Sequence, residues 1–238
     1  MSGWAAKRFW KETTVEAVED GYQILLDGRQ VKSPAKTALV VPTQALAEVI
    51  RTEWDSQEGE IDPLSMPATR MANAALDKVL TQKDEVASML AAYGSSDLLC
   101  YRADAPEELI ARQSQLWDPL LEWLNDALDV RLNTGSGVMP VAQSPENEAK
   151  LLAKVRALSH FELAAFHDLV GLSGSLVIGL AVSEGHLTAE EAWPLSRVDE
   201  NWQEEQWGAD EEATEIATRK RGEFFAAARH LGLVRRAN

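Results

Sequence analysis

The stretch VEDGYQILLDGRQV, residues 18 to 31, decides how the first part of the chain is read. Asp20-Gly21 and Asp27-Gly28 bracket the short run YQILL. An Asp-Gly pair between strand-like segments is a strong hairpin signal, because the favoured two-residue turn needs positive φ at its centre. Two in succession predict an antiparallel meander. Working outward, FWKETTVEAVED supplies the strand before and RQVKS the strand after, while ALVV reads as one more strand that stops at Pro42. Thr43 then holds the position of a helix N-cap, and Leu46, Val49, Ile50 and Trp54 recur at helical spacing over QALAEVIRTEWDSQ. Trp54 lies on that apolar face and is expected to be buried and structural.

Beyond the loop IDPLSMP the pattern turns helical. TRMANAALDKVL and DEVASMLAAYG have helical periodicity, and SDLLCYRA fits either a strand or a helical turn. From Pro106 helices dominate. PEELIARQSQLWDPLLEWLNDAL is a long amphipathic run with Pro119 inside it, which predicts a kink or break at Asp118. DVRLNTGSGVMPVAQ is irregular or β-like. Further helix starts are read at Ser144-Pro145, Ser159, Ser173 and the capping box TAEE at Thr188, and a final helix from about Asp210 to Leu231. The expected fold class is α+β: a small antiparallel β/α domain over residues 1–95, then a mainly α-helical domain over 96–238.

The 238 residues suffice for one large domain or two ordinary ones. A formal charge of −15 argues against nucleic acid or an anionic membrane surface as the main partner. With one cysteine, Cys100, no internal disulfide is possible, as suits a reducing compartment. MSGWAAKRFWKETT has neither the apolar core of a signal peptide nor the acid-free, Arg/Ser-rich character of a transit peptide, so a cytoplasmic location, or else an already mature chain, is expected. The clean apolar run Leu169–Val182 is too short to span a bilayer and reads as a core helix.

No catalytic signature stands out. GLSGS, residues 171–175, is not a nucleophile elbow, and GSGVMP lacks the lysine and spacing of a phosphate loop. His160 and His167 are seven apart with no third ligand nearby, so no metal is expected, and Cys100 reads as a small buried residue. No catalytic residue and no cofactor are assigned. An enzyme with an unrecognised carboxylate site is the alternative.

The segment VDENWQEEQWGADEEA, residues 198–213, is unusual because tryptophans stand among acids; residues 199–215 hold eight acids and no base. Treated as one helix from Trp193, with about 100° per residue, Leu195, Val198 and Trp202 form one apolar stripe that should face the core. Glu200 and Trp207 fall on the opposite side beside Trp193. That second face is either sandwiched between layers of the same protein or meets a partner, and an aromatic pair flanking a carboxylate suits a protein anchor. The partner-binding candidates are Glu200, Trp193 and Trp207 with the neighbouring Gln203 and Glu204. Trp54, Trp202, Leu195 and Val198 are assigned to structure.

GYQILLDGRQVKSP, AEVIRTEWDSQEGEIDPLSMPATRMANAALDKV, DLLCYRA, WDPLLEW, GSLVIGLAVSEG and SRVDENWQEEQWGAD, in that order, closely resemble the assembly chaperones of the ATP synthase catalytic head, the Atp-twelve family. The resemblance runs from about Phe9 to Leu231. It implies an N-terminal α+β domain, a helical domain, and no chemistry or cofactor. It further implies a chaperone that binds the free α subunit of the F(1) sector and keeps it from aggregating until the β subunit replaces it; a monomer is expected. Relatives occur in mitochondria and α-proteobacteria, and the absence of a transit peptide suggests a bacterial member.

Overall fold

The computed structural model describes residues 7–137 and 139–236. The first six residues of the N-terminal stretch and Val138 of GSGVMP lie outside the described residues.

The meander is present. β1 (Thr13–Val18) and β2 (Gly21–Leu26) pair antiparallel from Thr13↔Leu26 to Val18↔Gly21. The first turn is therefore Glu19-Asp20, and Gly21 opens β2 with φ 141°. Its need is close approach: a Cβ there would stand 2.3 Å from the Val41 carbonyl oxygen. The second turn is Asp27-Gly28 itself, with φ 48° and 75°, the sign pattern of a type I′ turn. Asp27 also accepts from the backbone N–H of Glu12 at 2.9 Å and of Lys11 at 3.0 Å, which holds its carboxyl below the usual range.

β3 (Arg29–Gln30) and β4 (Val40–Val41) share the remaining edge of β2, the first near its C-terminal end and the second near its N-terminal end. Ile24 and Leu26 are buried, as are Leu46, Ala47 and Ile50 of α1 (Gln44–Asp55), which packs on β1 and β2. Thr43 caps α1 as expected, accepting from Leu46 N–H at 3.2 Å. Trp54 is half-buried rather than buried; its ring meets Trp10 edge-on at 5.3 Å, and Trp10 is the fully buried partner. α2 (Pro67–Ala74) begins against Glu53, whose carboxylate accepts from the Ala68 and Thr69 N–H groups, both at 2.8 Å. A π-helical turn, Ala75–Val79, follows.

α3 (Lys83–Ala91) leads to a 3-10 turn at Leu98–Cys100 and β5 (Tyr101–Arg102), so SDLLCYRA contains both expected forms. α4 (Glu107–Leu128) runs on through Pro119, so of the kink or break expected at Asp118 the break does not occur. Trp117, Leu120 and Leu124 are buried around it. Burial of such side chains, at roughly 1.5–3 kcal/mol or more each, outweighs an interior proline's cost of about 3 kcal/mol.

β6 (Gly135–Ser136), α5 (Pro145–Arg156), α6 (His160–Ser173) and α7 (Leu176–Ser183) follow. Ser144 caps α5 as read. Ser175, not Ser173, caps α7: its hydroxyl accepts from Ile178 N–H at 3.0 Å and donates to Asp97 at 2.7 Å. Ser173 stays in α6 and donates to the Leu169 carbonyl at 2.6 Å. The last elements are α8 (Ala189–Leu195), α9 (Val198–Trp207) and α10 (Glu211–Arg235). Among the described residues no helix is long and apolar enough to cross a membrane.

The compact units do not follow a linear cut at 95/96. One comprises the described residues up to Lys83 together with His160–Ala165 and the chain from Arg229 onward; the other comprises Asp84–Ser159 and Phe166–Ala228. The reason is visible in the first unit. Thr43 donates to the Leu233 carbonyl at 2.8 Å, Glu162 pairs with Arg235 at 2.6 Å, and Leu231, Leu233 and Val234 are buried.

Candidate interaction surface

The segment 193–207 is two helices, not one. Ser196 ends α8, its hydroxyl donating to the Trp193 carbonyl at 2.7 Å, and Arg197 leaves the helical region at φ −122° before α9 starts. A single helical wheel does not carry across this break. Trp193 consequently turns inward: it is only 7% exposed and packs on Phe224 with ring centroids 5.6 Å apart. Its assignment to a partner-binding face is corrected. Val198 is buried as expected. Leu195 and Trp202 are half-buried instead of core residues. The Leu195 carbonyl accepts from the indole of buried Trp117 at 2.8 Å, which fixes the end of α8 to α4.

The acids of α9 are largely engaged. Asp199 accepts from Gln113 at 2.7 Å, and Gln113 is buried in α4. Glu200 pairs with Arg197 at 2.9 Å, three residues earlier, and the same guanidinium stands 3.9 Å from Glu204. Arg112 grips Glu205 with both terminal nitrogens, each at 2.8 Å, and lies 4.8 Å from the ring centre of Trp202. That hydrogen bond holds the Glu205 carboxyl below its ordinary value and raises Arg112. Asp199 and Glu200 also suit the positive end of the helix dipole. The anchoring aromatic and cationic groups therefore hold α9 in place.

What stays open is one side of α9 and the start of α10. Trp207 closes α9 and is 79% exposed; Gln203 is exposed; Glu200 and Glu204 are half-buried. A cleft of about 210 Å³ runs from Trp193 and Arg197 past Asn201 and Glu204 to Thr214 and Arg221 of α10. Such a volume accepts a side chain or two, below the range of small-molecule sites. Arg112 and Gln113 escaped the sequence reading because they lie about ninety residues upstream, with no local signal to link them. Arg197 was legible: its spacing from Glu200 is that of a helical ion pair.

No set of three or more His, Cys, Asp or Glu side chains is placed to hold a metal ion among the described residues. His167 pairs with Asp168 at 3.0 Å and His160 packs on Phe161. Burial pushes the Cys100 thiol up to about 12, far from a nucleophile's range. Asp97 is fully buried, and desolvation raises its carboxyl despite hydrogen bonds from Ser175, Val177, Leu99 and Leu176 that pull the other way. These bonds cap the starts of α7 and of the 3-10 turn, so capping accounts for this carboxylate.

The model of the ATP12 chaperone protein family matches residues 7–125. The chain belongs to the ATP12 chaperone family. The mitochondrial protein atp12 of Schizosaccharomyces pombe is 28% identical over 222 residues, which are 88% of this chain and 76% of that one. Two solved structures of Paracoccus denitrificans Atp12, one of a single-substitution mutant, are 46% identical with TM-scores of 0.95, covering 98% of this chain and 100% of theirs. The Atu1473 protein of Agrobacterium tumefaciens is 43% identical with a TM-score of 0.89, over 96% of this chain and 85% of its own. The small antiparallel sheet and largely helical remainder are the ATP12 architecture. The family match stops before α8, whereas the structural likeness reaches across nearly the whole chain.

Proposed function

We propose that this ATP12-family protein is an assembly chaperone for ATP synthase, binding the unassembled α subunit of the F(1) sector until the β subunit replaces it. The client exposes an apolar, partly polar interface that would self-associate, and a binder of the free form holds it soluble by mass action. The task needs a complementary surface and no cofactor. The observation that carries the reading is Trp207, a large aromatic left 79% exposed at the end of a helix whose other contacts are well made. Glu200, Gln203 and Glu204 share its helix and complete the proposed surface; Trp193 does not belong to it. Mixing the purified protein with isolated α or β subunits and running size-exclusion chromatography tests the reading. A complex with α that β displaces, and suppressed light scattering by α, are the expected results. Protection lost in Trp207→Ala with an unchanged fold places the client at this surface, whereas absence of any complex with α refutes the proposal.

A further inference from the structure

α9 has little of its own to hold it in place. It is ten residues long; Val198 at its start is fully buried, and its other side chains are half-buried or exposed. A helix so short is marginal in water and depends on tertiary contacts. Arg112 of α4 supplies some of them, through Glu205 and Trp202. Two more α4 side chains, Gln113 and Trp117, both buried and about one turn apart, reach the same region.

Gln113 uses both ends of its amide. Its Oε1 accepts from the Ala103 N–H at 2.8 Å, and its Nε2 donates to Asp199 at 2.7 Å. A backbone N–H can only donate and an ionised carboxylate only accept, so these partners fix which way the amide points. A buried amide is costly unless both ends are met; here it ties the segment after β5 to the first turn of α9 with one polarity. Trp117 makes a parallel connection four residues on. The Arg102 guanidinium, bonded to Asp118 at 2.7 Å and to the Leu99 carbonyl at 2.9 Å, stands 5.3 Å from the Trp117 ring centre. The indole N–H in turn donates to the Leu195 carbonyl at 2.8 Å. Leu195 is the last residue of α8 and Asp199 the second of α9. The two bonds therefore hold the chain on either side of the break at Ser196 and Arg197.

We infer that Gln113 is a positioning residue for the client surface: with Trp117 it sets the bend between α8 and α9, and so the direction in which Glu200, Gln203, Glu204 and Trp207 are presented. The inference rests on the chaperone reading above, which assigns the client to those four residues. Leverage makes the bend matter. Trp207 lies eight residues beyond Asp199, about 12 Å along the axis, so a tilt of about 15° at the bend moves it by roughly 3 Å. An aromatic anchor displaced that far no longer meets a closely packed pocket on a partner.

Gln113→Met keeps nearly the same volume and removes both bonds. Amide exchange over residues 199–207 of the free full chain should quicken about tenfold, and binding of isolated α subunit should weaken about tenfold, the usual worth of a hydrogen bond to a charged group. Gln113→Glu sets two carboxylates together and should be worse on both readouts. Adding Asp199→Asn to it restores the bond with reversed polarity, the new amide donating to the new carboxylate, which still accepts from Ala103. Both readouts should then return toward wild type, a rescue that general loss of stability would not give. Ser144→Ala, which removes the cap of α5, costs comparable stability in another element and should bind α like wild type. Three results each overturn the inference and leave the chaperone reading standing: unchanged exchange in Gln113→Met, faster exchange with α bound as tightly as before, or an equal loss of binding in Ser144→Ala. If the glutamate variants fail to fold, Gln113→Met and Ser144→Ala decide alone. No complex between wild type and α overturns the chaperone reading, and the purpose given to the bend goes with it.

Discussion

Glu200 sits on the first turn of α9 with its carboxylate on Arg197, so its role is no longer that of a free acid among acids. Glu200→Lys breaks the pair and sets a cation against both Arg197 and the positive helix end. Each effect at a half-exposed site is worth about 0.3–1 kcal/mol. The variant should therefore fold with a melting temperature lower by a few degrees, yet fail to protect the α subunit, because a desolvated charged contact with a partner is worth roughly 2–5 kcal/mol. Thermal melts and a light-scattering assay on the same preparation check both halves; full protection would exclude Glu200 from the client surface. Trp54 belongs to the same scale. Being half-buried, it leaves room for an arginine to reach solvent, so Trp54→Arg should cost about 2–4 kcal/mol through lost packing on Trp10. Trp10→Ala, at a fully buried site, should cost about 3–5 kcal/mol. Denaturant midpoints that rank the two variants the other way would overturn this account.

At the scale of the element, α9 is held from outside by α4. Arg112 contributes twice, through the two-pronged grip on Glu205 and the stack on Trp202. Arg112→Ala should lower the melting temperature at neutral pH and speed amide exchange in α9. The sign with pH follows from Glu205. Its carboxyl is depressed in the folded state by the Arg112 hydrogen bond, so the stabilisation is present above the ordinary glutamate value of about 4.3. It is lost as pH falls through the lower, folded value. The gap between wild type and variant should therefore narrow toward acid pH, down to the part due to the Trp202 stack, and melts at stepped pH values measure it. A gap of constant size would assign Arg112's contribution to the Trp202 stack alone. Local signals served other elements well: the caps at Thr43, Ser144 and Thr188 each form with the hydrogen bonds that their spacing predicts. They misplaced the start of α7, because Ser173 and Ser175 are equivalent by type and only the buried Asp97 selects the second.

For the whole molecule, the two compact units interleave along the chain. The first unit needs residues from Arg229 onward, where Leu231, Leu233 and Val234 are buried and Thr43 bonds to the Leu233 carbonyl. A chain ending at Ala228 loses three apolar side chains at roughly 1.5–3 kcal/mol each, a sum comparable to the stability of an ordinary domain. That truncation should yield an aggregated or partly unfolded protein, seen as a lost first-unit transition in calorimetry, whereas removing only residues beyond Arg235 should be tolerated. A truncated chain that melts like the full one would show that the first unit closes without its C-terminal strap.

By itself the sequence determined the hairpins, the helical majority, the principal caps, and through its long ordered motifs the family. These depend on neighbours within a few residues, where turn geometry, periodicity and capping act. Tertiary structure alone decided the rest. It turned Trp193 inward, because the Ser196 break rotates α8 relative to α9. It brought Arg112 and Gln113 onto acids about ninety residues away, kept α4 continuous through Pro119, and folded the chain's end into the first unit. Each of these is set by packing between distant segments, where the burial of large apolar side chains outweighs local preference and no local pattern records which segments will meet.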